Sequence, residues 1–377
     1  MQSGFVCRRG IGENNMVNLT EPKMSAYLHS KAKENGTPLA GNFELTSNCN
    51  FNCPMCYVSQ NEPCEDALSA EDWIEITDTA CDNGMLFLLL TGGEPFFKKD
   101  FDKIYTHAHE KGLIISINSN GSLADRYIDL LKKYPPVRIN ISLYASSAAG
   151  YKKQCMNACF EKVMENIKAL QKINIPLKLN TVITKLNCYD IENIIALSKS
   201  LGVPIQITPY CYPPIRLDGV FGKSDSRLSS ADAGFYSVRG DIALYGSEEF
   251  IKKASRAKSS ESSSGGDCSL MCRAGSSSFW ITCDGKMRAC AMMDKPSADL
   301  KDMDFCGAWE YIRKQTSLLR TPAECRDCPD SAFCRACAAM CLCETGFTDK
   351  KPEYVCEMIR SIRKNTENFL KKTEKSL

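Results

Sequence analysis

Apolar runs and amphipathic stretches alternate along the chain from about residue 42 to residue 210. Short apolar runs rich in β-formers predict six strands, at residues 43–46, 86–91, 114–118, 137–143, 177–183 and 204–208. Between them, apolar positions at helical spacing predict helices at residues 69–83, 100–111, 124–134, 159–172 and 188–201. Successive β-α units are typical of a parallel sheet covered by helices, because parallel strands need crossover connections. We therefore predict an α/β fold, a partial (β/α)6 TIM-like barrel with one open side.

The segments around this barrel differ from it in composition. The barrel pattern covers residues 40–215, after an N-terminal extension of residues 1–39. Residues 216–267 contain a serine-rich stretch and predict a flexible connector. Residues 268–356 form a cysteine-rich C-terminal region. Residues 357–377 predict a basic helix whose apolar face packs on the barrel.

Charge and hydropathy argue against several classes of partner. The 47 basic and 45 acidic residues nearly cancel, which gives no electrostatic case for nucleic acid or an anionic membrane. The longest apolar runs, such as residues 85–90, are too short to span a bilayer, and no apolar segment of a secretion signal follows Arg8 and Arg9. Twenty-two cysteines in a long chain without an export signal indicate a cytoplasmic protein whose thiolates bind metal.

Three closely spaced cysteines carry the first chemical signal. Cys49, Cys53 and Cys56 form a C-x3-C-x2-C run directly after the first predicted strand. Three thiolates on one loop can hold three irons of a [4Fe–4S] cube and leave the fourth iron without a protein ligand. An open iron indicates that a cofactor or substrate binds there. The alternative is a zinc site, which needs a fourth ligand nearby, and no histidine stands at ligand spacing.

A glycine-rich segment ends the second predicted strand. Gly92 and Gly93 allow the backbone to approach a ligand closely, and the carboxylate of Glu94 can accept from an ammonium group. The alternative is a simple strand-to-helix turn. Active sites of such folds lie at the carboxyl ends of the strands, where the cysteine run, this segment, residues 118–121 and Ser142 all fall.

These residues resemble the radical S-adenosylmethionine (SAM) superfamily over roughly residues 40–210. The resemblance implies that Cys49, Cys53 and Cys56 ligate a catalytic [4Fe–4S] cluster whose open iron binds the methionyl group of SAM. It also implies cofactor contacts, which are Tyr57 at the adenine, Gly92, Gly93 and Glu94 at the methionyl amine, and Asn118 and Ser142 at strand ends. Lys178 is a further match, with a solvated surface lysine as the alternative. Met55 stands where members usually carry an aromatic residue.

The C-terminal cysteines form a second constellation. Cys272, Gly285 and Cys290 are followed by the dense run Cys325-x2-Cys328-x5-Cys334-x2-Cys337 and then by a distant Cys356. This order resembles the SPASM extension of radical enzymes, which binds two auxiliary [4Fe–4S] clusters. The resemblance implies two ligand sets, Cys272, Cys290 and Cys337 for one cluster and Cys325, Cys328, Cys334 and Cys356 for the other.

The sequence alone does not decide which cysteines complete the auxiliary ligand sets. The family usually has three residues in the last short spacing, so Cys341 competes with Cys337. The first cluster needs a fourth ligand, for which Cys268 and Cys283 are candidates, or it is open to substrate. Cys343 is left over. A zinc ribbon is the alternative for the whole region.

The resemblance implies a function as well as cofactors. Members cleave SAM reductively to a 5′-deoxyadenosyl radical that takes a hydrogen atom from an unactivated C–H bond. We predict three [4Fe–4S] clusters, an electron donor such as flavodoxin or ferredoxin, and a peptide or protein substrate that receives a thioether or carbon–carbon crosslink. A formylglycine-forming sulfatase maturase is less favoured, because those enzymes place an aspartate directly after the second long-gap cysteine, whereas Asp294 stands four positions after Cys290. The alternatives from another class are a non-enzymatic iron–sulfur electron carrier and a zinc-binding adaptor.

Overall fold

A nine-stranded sheet forms the centre of the computed structural model, which describes residues 23–57, 67–156, 159–212, 226–259, 270 and 272–374. The strands are β1 Ala40–Glu44, β2 Phe87–Thr91, β3 Ile114–Ser119, β4 Arg138–Ser142, β5 Leu177–Val182, β6 Ile205–Thr208, β7 Ser278–Ile281, β8 Lys286–Arg288 and β9 Ser297–Asp299. Their order is β6-β5-β4-β3-β2-β1-β7-β8-β9, so the sheet does not close on itself. Strands β1 to β6 are parallel, as predicted, and the partial barrel is confirmed.

Helices surround this sheet, and those between the barrel strands cover its outer face. They are α1 Lys23–Asn35, α2 Ala70–Asp82, α3 Phe101–Glu110, α4 Ile128–Lys133, α5 Ala148–Cys155, α6 Phe160–Lys172, α7 Ile191–Leu201, α8 Ser230–Tyr245, α9 Ser247–Ser259, α10 Phe305–Leu318, α11 Ala338–Thr345 and α12 Glu353–Glu374. The five predicted barrel helices are all present, two of them preceded by short 3₁₀ turns at Ala124–Tyr127 and Cys188–Asp190. Within the described residues, no helix is long and apolar enough to cross a membrane.

The two faces of the sheet differ in polarity because side chains alternate along each strand. The residues that pack beneath the helices are apolar and almost fully buried, among them Phe43, Leu88, Leu90, Ile115, Ile117, Ile139, Ile141 and Leu179. The alternate residues of β3, β4 and β5 line a cavity and are mostly polar, among them Ser116, Asn118, Arg138, Asn140, Lys178 and Asn180. The barrel interior is therefore a polar cavity and not a packed core.

The region after β6 differs from the sequence prediction. Residues 216–267 were expected to form a flexible connector, but helices α8 and α9 fill residues 230–259. Gly234 and Gly240 weaken the helical signal of α8, because glycine is a poor helix former. Both glycines serve close packing, Gly240 against Ile207 of β6 and Gly234 against α12. The rest of the expected connector lies outside the described residues, as do residues 1–22 of the N-terminal extension.

The ends of the chain add to the barrel. Part of the N-terminal extension is helix α1, whose buried His29 bonds through Nδ1 to Ser277 Oγ at 2.9 Å, just before β7. The C-terminal helix begins at Glu353, four residues earlier than expected, and its buried face packs on α8. Strand β7 pairs with β1, so the cysteine-rich region continues the barrel sheet beyond its first strand.

A buried ion pair holds the cysteine-rich region to the barrel. Glu344 of α11 accepts from Tyr210 Oη at 2.6 Å and from Arg227. The Arg227 guanidinium also stacks on the Tyr354 ring, 3.5 Å from its centroid. The side chains of Arg227 and Glu344 are only 17% and 6% exposed, so this pair ties the segment after β6 to α11 and α12.

We expect Gly234→Ala to destabilise the protein, although alanine is the better helix former. A Cβ at this position would lie 2.6 Å from the Met358 carbonyl oxygen and 2.4 Å from Ser361 Cβ, so α8 and α12 would have to separate. Overpacking of this kind costs about 1–3 kcal/mol, measured here as a lower urea midpoint. Phe235→Ala, at a neighbouring position that is 49% exposed, is the control and should change stability by less than about 0.5 kcal/mol. An unchanged midpoint for Gly234→Ala would contradict the close contact.

Candidate functional site

The three cysteines of the first run lie on a loop that continues from β1. Its backbone is turned by two hydrogen bonds, from Asn48 N to Thr46 Oγ1 at 3.0 Å and from Cys56 N to Cys53 O at 3.0 Å. Phe51 and Met55 anchor the loop, since they are only 6% and 9% exposed. The three thiols are half-buried, and Tyr57 is half-buried at the end of the loop. We call residues 45–57 the cysteine loop.

The two glycines after β2 lie directly against the cysteine loop. Gly93 N donates to Thr46 O at 2.8 Å, and Glu94 N donates to Asn48 O at 2.9 Å. A Cβ at Gly92, where φ is +140°, would lie 2.4 Å from Thr46 O, and one at Gly93 would lie 2.4 Å from Asn48 O. Side chains at these positions would therefore push the two loops apart. The close approach predicted toward a ligand is here an approach of one loop backbone to the other.

The carboxylate of Glu94 bonds to the end of β3. Its Oε1 accepts from Ser119 Oγ at 2.8 Å and from Phe96 N at 3.2 Å, and its Oε2 accepts from Asn120 N at 2.6 Å. The side chain is fully buried, and burial raises the pKa of Glu94 to about 7 against the opposing effect of these hydrogen bonds. Contact between this carboxylate and a methionyl amine stays a prediction, and it requires the amine to reach a buried group.

Asn120 connects Glu94 to the first cysteine. Its side-chain Nδ2 donates to Asn50 Oδ1 at 2.9 Å and lies 3.6 Å from Cys49 Sγ, in position to donate to that sulfur. The backbone N–H of Phe51 donates to the same sulfur at 3.4 Å. Burial raises the pKa of Cys49 to about 12, and donors on the sulfur favour its thiolate form. The prediction that Asn118 contacts the cofactor stays a prediction, and the strand-end residue that reaches the cysteine loop itself is Asn120.

The other predicted cofactor contacts lie deeper in the barrel. Asn118 Oδ1 accepts from Asn140 Nδ2 at 2.7 Å, and Lys178 Nζ donates to Gln206 Oε1. Ser142 is nearer the cysteine loop, since its carbonyl accepts from Tyr151 Oη at 3.0 Å, and the Tyr151 ring packs edge-on against Phe51. The structure thus brings the cysteine loop, Gly92 to Glu94 and Ser142 to one end of the barrel. Asn118 and Lys178 lie on its inner wall.

Helix α5, which the sequence did not predict, supports the cysteine loop from below. Gln154 Nε2 lies 3.6 Å from Met55 Sδ, and Gln154 Oε1 accepts from Thr184 Oγ1 at 3.1 Å. Cys155 ends the same helix and lies next to Cys53 of the cysteine loop. It is fully buried, and its contact with Cys53, together with burial, raises the pKa of Cys53. Nothing in the sequence pattern marks either residue as a neighbour of the loop.

The C-terminal cysteines influence one another's charges in two groups, which meet at Cys337 because both Cys272 and Cys334 act on it. In the first, the charges of Cys337, Cys290, Cys343 and Cys272 add to burial in raising the pKa of Tyr212. In the second, Cys325 interacts with Cys334 and Cys328, and Cys356 interacts with Cys325 and Cys334. These groups contain the two ligand sets that the resemblance implied.

Three cysteines of uncertain role are now placed. Cys343, left over at first, lies with Cys290 and Cys337 in the first group. Burial, followed by the charges of Cys325, Cys337 and Cys356, raises the pKa of Cys341 to about 12, so it lies beside the second group. Cys283 is 2% exposed in the turn after β7, and Cys268 is outside the described residues. Across the described part of the chain, no three His, Cys, Asp or Glu side chains are grouped to hold a single metal ion. A cube does not need such convergence, because each thiolate binds its own iron.

We expect Glu94→Gln to lower stability by about 1–3 kcal/mol, because all three partners of the carboxylate are donors and the new amide nitrogen would leave at least one of them unpaired. The measurement is the urea midpoint of the isolated protein. Glu75→Gln, at an exposed position on α2, is the matched control and should leave the midpoint unchanged. Equal midpoints for the two variants would show that Glu94 does not hold the end of β3.

Comparison with known proteins agrees with this geometry. Residues 43–197 match the Radical SAM superfamily. A probable GTP 3′,8-cyclase of Saccharolobus islandicus is 34% identical over 161 residues, which are 42% of this chain and 52% of that protein. An AdoMet-dependent heme synthase of Methanosarcina barkeri is 22% identical over 82% of this chain and 94% of that protein. The sporulation killing factor maturation protein SkfB of Bacillus subtilis is 26% identical over 48% of this chain and 45% of that protein. The chain thus spans about half the length of the cyclase and of SkfB.

Solved structures share the whole fold. Streptococcus suis SuiB bound to the precursor peptide SuiA superposes with a TM-score of 0.65 and 19% identity, covering 92% of this chain and 84% of SuiB. The protein anSMEcpe with bound AdoMet and the Kp18Cys peptide superposes with a TM-score of 0.67 and 16% identity, covering 90% of this chain and 100% of that one. At these identities the likeness is one of fold. The chain thus combines a cysteine loop at the carboxyl end of a partial parallel barrel with a match to the Radical SAM superfamily over residues 43–197.

Proposed function

We propose that this chain is a radical SAM enzyme that takes a hydrogen atom from a peptide and installs a thioether or carbon–carbon crosslink during maturation of a ribosomally made peptide. The observation that carries the proposal is the arrangement of the cysteine loop. It presents three thiols at the carboxyl end of the barrel, and donors of this chain surround the sulfur of Cys49. Hydrogen bonds to a thiolate favour its charged form, and in iron–sulfur sites they help to set the reduction potential of the cluster.

The residues present fit the cluster and its cofactor. Cys49, Cys53 and Cys56 would hold three irons of a [4Fe–4S] cluster, and SAM would lie between the cysteine loop and the polar inner wall. With both bound, the site supplies a 5′-deoxyadenosyl radical that takes the hydrogen atom. Glu94 acts as a positioning residue, because it holds Asn120 in place beside Cys49. The Gly92–Gly93 backbone contact keeps the cysteine loop in register with β2.

Support for a peptide substrate comes from the relatives and from the shape of the barrel. Two proteins of the same fold bind peptides, and SkfB is named as a maturation protein. The barrel does not close, and a cavity of about 940 Å³, enough for several residues of a peptide, runs along its inner wall as far as Asn118 and Asn180, without contact with the cysteine loop. We propose that the peptide lies across the open side, between the cysteine loop and the C-terminal cysteine groups.

The C-terminal cysteines fit two auxiliary [4Fe–4S] clusters in this proposal. Cys272, Cys290 and Cys337, with Cys343 beside them, would hold one cluster, and Cys325, Cys328, Cys334 and Cys356 the other. The first cluster would take the electron that the peptide radical gives up when the new crosslink bond forms. A flavodoxin or ferredoxin would supply the electron that starts the reaction. A formylglycine-type modification is the runner-up. Asp294, which would have to act as its base, is exposed and four residues from Cys290.

We expect about twelve irons per chain after anaerobic reconstitution, because three four-iron clusters are proposed. Changing Cys49, Cys53 and Cys56 together to Ala should remove about one third of the iron and abolish formation of 5′-deoxyadenosine. Iron is measured colorimetrically and the nucleoside by chromatography. Cys306→Ala, an exposed cysteine outside both C-terminal groups, is the control and should change neither quantity. Stoichiometric zinc with little iron would overturn the proposal.

Cys272→Ala combined with Cys290→Ala tests the auxiliary group separately. We expect the double variant to contain about one third less iron than the unaltered protein. Formation of 5′-deoxyadenosine should continue, because the catalytic cysteines are unchanged. With a peptide substrate present, the crosslinked product should disappear from the mass spectrum. Product formation in this double variant would show that the first auxiliary cluster is structural and accepts no electron from the peptide.

A further inference from the structure

The amino ends of the barrel strands form a second polar region, opposite to the cysteine loop. Residues from the starts of β3, β4 and β5 line the lower part of the 940 Å³ cavity, together with Ser25 and His29 of α1. Arg138 precedes Ser142 by four residues along β4, and each residue of a strand adds about 3.3 Å. This end of the cavity therefore lies roughly 13 Å from the end of β4 at which the cysteine loop lies. We call this region the amino-terminal mouth.

The amino-terminal mouth carries positive charge, and its described lining residues include no matching acid. Arg138 and Lys178 lie on neighbouring strands and on the same inner face, since Asn140, two residues after Arg138, pairs with Lys178. Burial, followed by the charge of Arg138, lowers the pKa of Lys178 to about 8. Among the described residues that line this cavity, none is an aspartate or glutamate. Two partly buried cations that repel each other favour an anion between them.

Polar atoms in the same place have no hydrogen-bond partner in the part of the chain that the structure describes. The Nε of Arg138 is buried and makes no hydrogen bond. The amide oxygens of Asn140 and Asn180 are likewise buried and accept no hydrogen bond. Buried polar groups are normally paired, so these atoms indicate a ligand that offers an acceptor to the arginine and N–H donors to the amide oxygens. A peptide with a carboxylate has both.

The rim of the mouth is apolar. Ile114 and Val137, at the starts of β3 and β4, are 38% and 52% exposed. Side chains of this kind beside a charged site suit a ligand that has apolar as well as charged parts, and inorganic anions have none. The rim therefore favours a peptide over a free inorganic anion.

We propose that the amino-terminal mouth is a substrate subsite that binds a carboxylate of the peptide through Arg138 and Lys178. The Asn140 and Asn180 side chains accept hydrogen bonds from peptide N–H groups above it. The subsite positions the peptide from the end of the barrel opposite to the cysteine loop. That the ligand is a peptide rests on the proposed function, whereas the anion site rests on the geometry alone. This assigns Lys178 to the substrate and not to SAM.

Acetylation of Lys178 gives a direct readout of this subsite. Reconstituted protein is treated with acetic anhydride at pH 8, and modification of Lys178 is followed by mass spectrometry against exposed Lys132 as the internal reference. The probes are N-acetylglutamate N-methylamide, its glutamine analogue and N-acetylalanine, which carry a side-chain carboxylate, no carboxylate and a terminal carboxylate. We expect at least one carboxylate probe to slow the modification several-fold and the glutamine analogue to leave it unchanged. The probe that slows the modification shows whether the subsite binds a side-chain carboxylate or the terminal carboxylate of the peptide.

Variants at Arg138 test the second cation. Arg138→Gln should raise the half-protecting concentration of the carboxylate probe about tenfold or more, as expected for loss of a charge-assisted hydrogen bond. Arg138→Lys should restore most of the protection, and Arg126→Gln, an exposed arginine outside the cavity, should have no effect.

Several results would overturn the subsite. These are equal protection by the glutamine analogue, an equal effect of Arg126→Gln, or protection of Lys178 by SAM alone, which would place the cofactor there. Formation of 5′-deoxyadenosine in the same preparation separates the two proposals. Cleavage of SAM without protection by the carboxylate probes leaves the function standing and removes the subsite. Protection of Lys178 by a carboxylate probe without cleavage of SAM supports the subsite and removes the proposed function.

Discussion

The backbone contact between the cysteine loop and the Gly92–Gly93 segment is the constraint on which the site depends. Two N–H groups of the second loop pair with carbonyls of the first, and neither glycine has room for a Cβ. The carboxyl ends of β1 and β2 are thereby locked together. Glu94 then extends the lock to β3, because its carboxylate binds donors from the end of that strand. The position of three thiols thus follows from the pairing of three parallel strands.

The inner face of the sheet gives the two ends of the barrel different chemistry. A closed barrel fills its interior with branched apolar side chains, whereas here β3, β4 and β5 turn asparagine, serine, arginine and lysine inward. The outer face carries the apolar residues and provides the core beneath the helices. Stability therefore comes from one face, and the other face is left for ligands. Thiols and a buried acid stand at the carboxyl end, and cations stand at the amino end.

The cysteine-rich region is joined to the barrel by two kinds of contact. Strand β7 adds to the sheet beside β1, so the Cys290 side of the region continues from the strand that begins the cysteine loop. On the other side, Glu344 of α11 is held by Arg227 and Tyr210, between the barrel end and α12. Removing one partner of such a buried pair leaves an unpaired charge and is strongly unfavourable. These contacts place both cysteine groups on the side of the barrel that its strands leave open.

The sequence by itself determined the parallel barrel and the residues of the cysteine loop. Both follow from local information, since strand and helix periods differ and the C-x3-C-x2-C spacing is continuous in the chain. Helix α8 was not predicted because Gly234 and Gly240, which pack closely against distant residues, lower the local helical signal.

Only the tertiary structure decided that Asn120 lies beside Cys49 and that Cys155 touches Cys53. It alone showed that Cys343 lies near Cys290, and that Arg138 and Lys178 share one face on which the described cavity residues include no acid. Each of these is a meeting of residues from different elements. Hydrophobic period reports which face of a strand or helix is buried, but the neighbours across that face depend on strand register and loop path.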